Sequence, residues 1–171
     1  AIGIKMIKFS NENKFEGVDQ NIQIWKLSNQ EQRTIASPVL IPGQLIYRND
    51  INGKPGYLRA SKELINDLMI NYTKKGFGNN SKLEHEGNML EDITFYQNWQ
   101  VVDSNRDTSN NYGYTLPIGT WFSMAKVNND DIWNNYIKTG EVLGFSIDAM
   151  LGTQPIKLNC EKNKKINMYK N

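Results

Sequence analysis

The stretch Val142-Leu143-Gly144-Phe145-Ser146-Ile147-Asp148-Ala149-Met150-Leu151 decides how the rest of the chain is read. At the two-residue period of a strand, Leu143, Phe145, Ile147, Ala149 and Leu151 share one face, and Val142, Gly144, Ser146, Asp148 and Met150 share the other. The first set is a core face. The second presents a hydroxyl and a carboxylate two positions apart, next to a glycine that lets another backbone lie close. Such a strand suits the floor of a site. The other stretch with chemistry in it is Leu83-Glu84-His85-Glu86-Gly87, which holds the only histidine of the chain.

Working outward, Asn129 or Asp130 is expected to cap a helix that turns Ile132, Trp133, Tyr136 and Ile137 inward and stops at Gly140, just before the central strand. Gly119 to Val127 reads as a strand, and Ile93, Phe95, Gln97, Trp99 and Val101 alternate as another, with a polar loop over Asp103 to Tyr112 between them. Ser61 is expected to cap a helix whose apolar positions Leu64, Ile65, Leu68, Met69 and Tyr72 recur at three- and four-residue spacing, with Gly76 and Gly78 ending it. This helix delivers the chain toward His85.

Nearer the start, Asn21 to Leu27 and Thr34 to Arg48 read as strands, the second interrupted by Pro38 and by Pro42-Gly43 and so placed at an edge or a bend. Residues 1 to 20 alternate weakly and predict an edge strand or an arm. Ile156 to Leu158 and Ile166 to Tyr169 offer one or two strands more. The order of elements predicts an α+β, mainly β fold: an antiparallel closed or nearly closed barrel of six to eight strands with two inserted helices. One domain over residues 1–171 is expected from the length.

Bulk properties narrow the function. Apolar residues make up 39% and aromatics 11%, with a mean hydropathy of −0.61, enough for a packed core under a polar surface. The net charge is only +2 with both signs interspersed, so no basic stripe exists to neutralise a run of phosphates, and no nucleic-acid partner is expected. The lysine-rich end, Lys157 to Lys170, reads as a solvated terminal segment. One cysteine, Cys160, allows no internal disulfide, no apolar run is long enough to span a membrane, and no signal-peptide pattern opens the chain. A reducing intracellular setting without a membrane partner is expected.

Ser146 and His85 are candidate nucleophile and base. A serine hydroxyl attacks well only when an imidazole takes its proton, and the imidazole works best when a third group fixes its tautomer; Asp148, on the same strand face as Ser146, could supply that group. With nine serines in the chain, residue types alone leave a surface histidine and a strand serine as the simpler reading. Cys160 with His85 is a rival pair, though a single cysteine beside Leu158 is more often structural. Glu84, Glu86, Glu91 and Asp92 could hold a hard cation weakly, but one histidine and one cysteine make no metal-ligand cluster, and no glycine-rich phosphate loop is present. No cofactor and no metal is expected.

The ordered set Leu83-Glu84-His85-Glu86-Gly87, Gly119-Thr120-Trp121, Lys126-Val127, Asp130-Asp131-Ile132-Trp133 and Thr139-Gly140-Glu141-Val142, running into Gly144-Phe145-Ser146-Ile147-Asp148, resembles the prohead serine protease family of tailed phages. More distantly it is similar to the herpesvirus assemblin proteases. The resemblance covers about residues 37–150, leaving 1–36 and 151–171 as peripheral strands or arms. It implies a barrel-fold serine endopeptidase that works inside the immature capsid in the host cytoplasm, cutting scaffold and major capsid proteins and in many cases itself. His85 would be the general base and Ser146 the nucleophile. Assemblins place a second histidine after the serine, and this chain has none; other phage proteases use an acid there, so Asp148 comes first for that role, then Glu161, Glu84 and Glu86. Some relatives carry an acid ahead of the tryptophan where this chain reads Gln97-Asn98-Trp99. A homodimer is implied by analogy with assemblins. A catalytically silent head-assembly or scaffold-binding module with the same barrel is the alternative.

Overall fold

A computed structural model describes residues 2–8, 26–29, 32–49, 52–79, 81–83, 89–140 and 142–149; within these, residues 2–8, 26–29, 48–49, 81–83, 89, 142–143 and 146–149 are described at the level of the backbone. The strands are β1 (Ile2–Lys8), β2 (Lys26–Asn29), β3 (Thr34–Leu40), β4 (Ile46–Asn49), β5 (Pro55–Leu58), β6 (Ser81–Leu83), β7 (Met89–Leu90), β8 (Ile93–Gln100), β9 (Trp121–Val127) and β10 (Val142–Ala149). Helix α1 spans Lys62–Lys74, and a single α-turn, α2 (Asp130–Ile132), runs into a π-turn at Trp133–Ile137.

The centre of the molecule is an antiparallel sheet of order β2-β3-β9-β8, whose two middle strands are buried on both faces. One face carries Ile35, Leu40, Ile93, Phe95, Trp121, Ala125 and Val127. Onto it pack Ile65, Leu68 and Tyr72 of α1 and Ile132, Trp133 and Ile137 of the α2 region. The other face carries Ala36, Phe122 and Met124 and is covered by Val101, Tyr114 and Leu116, with Trp99 and Tyr112 packed alongside. Tyr114 meets the Phe122 ring edge-on at 5.3 Å and its hydroxyl donates to the Ala36 carbonyl at 3.3 Å. The polar loop expected over Asp103 to Tyr112 thus contributes Tyr112 to this second core, and the residues that follow it, Tyr114 and Leu116, cover it. A 3-10 turn at Thr108–Tyr112, capped by Asp107, gives the loop its shape.

A second sheet, of order β10-β1-β6-β7, pairs β1 antiparallel with β10 and parallel with β6. β1 is thus an inner strand, not the edge strand or arm expected from its weak alternation. Phe145 of β10 ties the two sheets together, since it is buried and its ring meets Phe95 edge-on with centroids 5.0 Å apart. The third sheet is the β4–β5 hairpin, with Tyr47 and Tyr57 in edge contact at 5.6 Å.

Helix α1 follows from its sequence. The Ser61 hydroxyl accepts from the Leu64 amide at 3.2 Å, satisfying one of the donors a helix start leaves open, and Gly76 at φ 69° turns the chain out. Ile65, Leu68 and Tyr72 are buried and Met69 is half-buried, whereas Leu64, expected to face inward, is 39% exposed because it sits at the margin of the stripe. Ser61→Ala should lower stability by about 1 kcal/mol in chemical denaturation, and Ser61→Asp should restore it. At α2, Asn129 caps by accepting from the Ile132 amide at 2.9 Å, and Gly140 at φ 74° ends the turn. The Lys138 amide reaches the Trp133 carbonyl at 3.0 Å, a five-residue step that makes this turn wider than an α-helix.

The closed or nearly closed barrel of six to eight strands is corrected: among the described residues the strands form three open sheets of four, four and two. Closure needs the two edge strands of one sheet to pair, and here β2 and β8 bound one sheet while β10 and β7 bound the other. Alternation in a sequence says which face a strand buries and not which strand lies beside it. Pro38 shows the same limit, because β3 is an inner strand. The described ladder between β2 and β3 stops at Ala36, however, so the missing N–H of Pro38 interrupts none of the described pairing on that side, and the pairing with β9 shifts register just after it. The strands expected at Ile156–Leu158 and Ile166–Tyr169 lie outside the described residues.

Candidate functional site

Of the residues the sequence proposes for the triad, Ser146 and Asp148 are among the described ones, both on β10. Ser146 stands opposite Lys5 of β1, Asp148 opposite Gly3, and Phe145 opposite Met6; β1 in turn sets Lys5 opposite Lys82 and Met6 opposite Leu83 of β6. Residues directly opposite in a ladder share a face, and successive residues alternate. One face of the sheet therefore holds the positions of Ile2, Ile4, Met6, Ser81, Leu83, Phe145, Ile147 and Ala149, and the other those of Gly3, Lys5, Ile7, Lys82, Gly144, Ser146 and Asp148. The burial of Phe145 marks the first as the core face. Ser146 and Asp148 occupy the opposite face, together with Lys5 and Lys82.

His85 lies outside the described residues, as do Glu84, Glu86, Cys160 and Glu161. Leu83, the last residue of β6, is two positions short of His85 and two strands away from β10, on the order of 10 Å between backbones at the usual spacing. Lys5 and Lys82 were missed by the sequence reading. Their only local signal is the alternation of Ile2, Ile4 and Met6 with Gly3 and Lys5, and it gains meaning once the partner strands are known.

The segment Gln97-Asn98-Trp99 has a structural use. A register shift between Phe95 and Gln97 puts both Tyr96 and Gln97 at the surface, breaking the alternation expected from Ile93 to Val101. The Asn98 carboxamide oxygen accepts from the Trp121 indole and from the Ser123 hydroxyl, each at 3.0 Å. Trp99 donates its indole N–H to Asp107 at 3.0 Å, and Asp107 also accepts from the Ser109 amide at 2.8 Å. Partial burial acts to raise the Asp107 pKa, but hydrogen bonding from Trp99 and from the backbone and side chain of Ser109 together outweighs it and holds the carboxyl below its ordinary 3.8. The stabilisation is complete above that ordinary value and is lost as pH falls through the lower folded value. Asp107→Asn should accordingly flatten the acid end of the stability–pH curve below about pH 4, measured by urea denaturation at a series of pH values.

Several residues of the ordered motifs build the fold. Gly119 sits at φ 94°, and a Cβ there would come within 2.4 Å of the Lys62 Cβ, so only glycine fits between α1 and the start of β9. Trp121 fills the core under α1, and Ile132 and Trp133 close its far side. Arg33, itself at φ 52°, pairs with Asp130, and its carbonyl accepts from the Val127 amide at 3.0 Å.

Beside α1 an open groove of about 630 Å³ is lined by Lys62, Glu63, Asn66, Asp67, Gln100 and Ile118, with Val102 77% exposed at its rim. Gln100 fixes its floor by donating to the Lys62 and Gly119 carbonyls at 3.0 and 3.1 Å. It brings together no nucleophile and base. Among the described residues no three histidine, cysteine, aspartate or glutamate side chains cluster in a way that could hold a metal ion. Glu91 and Asp92, two of the four acids considered for a weak cation site, are exposed; their carbonyls accept from the Asn129 side chain and the Asn128 amide. No helix among the described residues is long and apolar enough to cross a membrane. Compared with family models, with curated proteins and with solved structures, the chain matches none.

Proposed function

We propose that this chain is a serine endopeptidase of phage head maturation, acting on scaffold and major capsid proteins through an acyl-enzyme on Ser146. The observation that supports the reading is the placement of Ser146 and Asp148 on one face of a strand whose other face is anchored in the core through Phe145. The ordered motifs from Leu83 to Asp148 support it from the sequence. In the reaction, the Ser146 hydroxyl oxygen bonds to the scissile carbonyl carbon while His85 takes its proton. Collapse of the tetrahedral intermediate breaks the C–N bond, and His85 returns the proton to the leaving amine. Water then cleaves the ester by the same steps and regenerates the serine. Asp148 holds the imidazole in its working tautomer. The work is done inside the immature capsid, by a chain that acts as a homodimer.

A serine-directed fluorophosphonate tests this directly. The purified chain should gain one adduct, mapped by peptide mass spectrometry to Ser146, and Ser146→Ala should gain none. An unlabelled Ser146 in a folded chain would overturn the reading. The second reading, a silent head-assembly or scaffold-binding module, is favoured by Gln97-Asn98-Trp99: where some relatives carry an acid, Gln97 is exposed and Asn98 is committed to Trp121 and Ser123.

A further inference from the structure

The connection between β4 and β5 carries chemistry that neither the core nor the β10 ladder uses. It runs over residues 50–54 and contains Asn52-Gly53. Of the 23 asparagines in the chain, Asn52 alone is followed by glycine. Asn52, Gly53 and every residue on to Arg59 are exposed, and a Cβ built on Gly53 would meet nothing within 4 Å. Gly53 has a φ of 76°, which accounts for the glycine. It does not account for the pair. In the two-residue type I′ turn that favours Asn-Gly both residues have positive φ, whereas Asn52 does not, and the connection here spans residues 50–54.

We propose that Asn52 is a site of covalent self-modification, a deamidation in which the Gly53 backbone nitrogen attacks the Asn52 carboxamide. Glycine brings no Cβ to shield that nitrogen, and the surroundings of Gly53 are open. Base removes the Gly53 amide proton, the nitrogen bonds to Asn52 Cγ, and the Cγ–Nδ2 bond breaks; Nδ2 takes a proton from water and leaves as ammonia. One water then opens the five-membered imide. Opening at Cγ gives aspartate, and opening at the Asn52 backbone carbonyl gives isoaspartate, whose main chain runs through Cβ and Cγ. Nothing is oxidised or reduced, and water is the only co-reactant. The product gains a carboxylate, ionised at neutral pH, at the residue two before Lys54. The fold tolerates this change. The hairpin is held at its base, where the Gly43 amide donates to the Ala60 carbonyl at 3.0 Å and Ile46 packs on the core, while all four residues of β5 are exposed.

This chemistry is independent of the role of Ser146. To test it, the folded chain and the same chain unfolded in guanidinium chloride are kept in warm, mildly alkaline buffer. Peptide mass spectrometry at intervals reads the mass shift from amide to acid at each asparagine, and enzymatic carboxyl methylation counts isoaspartate. Asn52 should be the first asparagine converted in the folded chain, at the rate it shows in the unfolded one. Asn98, whose carboxamide is bonded to Trp121 and Ser123, should stay intact while the chain is folded. Asn52→Gln, which would need a six-membered ring, should form no isoaspartate at this position, and the modified chain, separated by charge, should unfold at the same urea concentration as the unmodified one. Conversion of Asn52 in the unfolded chain but not in the folded one overturns the proposal, because the hairpin would then hold the carboxamide away from the Gly53 nitrogen. Earlier conversion of another asparagine in the folded chain overturns it as well, and a lower urea midpoint for the modified chain overturns the tolerance of the fold.

Discussion

Trp121→Ala should cost the folded chain about 3–5 kcal/mol, read as a large fall in the urea midpoint with little change in slope. Trp121 is fully buried, lies edge-on to Tyr72 with centroids 5.3 Å apart, and donates its indole N–H to Asn98. Its position on β9, the strand paired with both β3 and β8, places it where α1 docks on the central sheet. Truncation would leave a cavity between α1 and β9 that neither element can close, because Gly119 already brings α1 to its limit of approach. Trp121→Phe should cost less, about 1–2 kcal/mol, since most of the apolar volume remains and Asn98 keeps its bond from Ser123. A loss below about 1 kcal/mol for Trp121→Ala would mean that α1 does not rest on this residue.

The second large effect is on chemistry. Ser146→Ala should lower peptide-bond cleavage by four orders of magnitude or more, on the order of what removing the nucleophile costs in other serine proteases, with stability changed by no more than about 0.5 kcal/mol. His85→Ala should cost nearly as much, because nucleophile and base act as one unit. Asp148→Asn should cost less, about 10²- to 10⁴-fold, since an asparagine amide can keep the ring in place but holds it in the wrong tautomer and cannot steady its positive charge. Equal cleavage by the Asp148→Asn chain would move the third role to Glu84, Glu86 or Glu161. Initial rates on a scaffold protein, with denaturation curves for each variant, provide the comparison.

What could be read from the sequence was local. Helix α1 was legible because Ser61, the spacing of Ile65, Leu68 and Tyr72, and the Gly76 exit all lie within one short stretch and act within it. The inward residues of the second helix were legible too, but its π geometry was not, because Ile132, Trp133 and Ile137 face the core in either form. The extra residue at Tyr96 escaped notice because Ile93, Phe95, Gln97, Trp99 and Val101 alternate as if no bulge existed. Sheet membership was misjudged where it depends on distant partners. β1 is central because β10 and β6 flank it, and nothing between Ile2 and Lys8 announces either neighbour. The same reason hid the Lys5–Ser146 pair, although Ser146 and Asp148 themselves could be placed on one strand face from Phe145 and Ile147 alone.

The most direct measurement is intact-mass analysis after this chain, or its Ser146→Ala variant, is co-expressed with scaffold and major capsid proteins of a tailed phage. Fragments of those proteins formed with the unmodified chain and absent with Ser146→Ala are the expected result, and their termini would give the cleavage specificity. Intact partners in both cases, or the same fragments in both, would contradict a serine endopeptidase and leave the silent assembly module as the function of this fold.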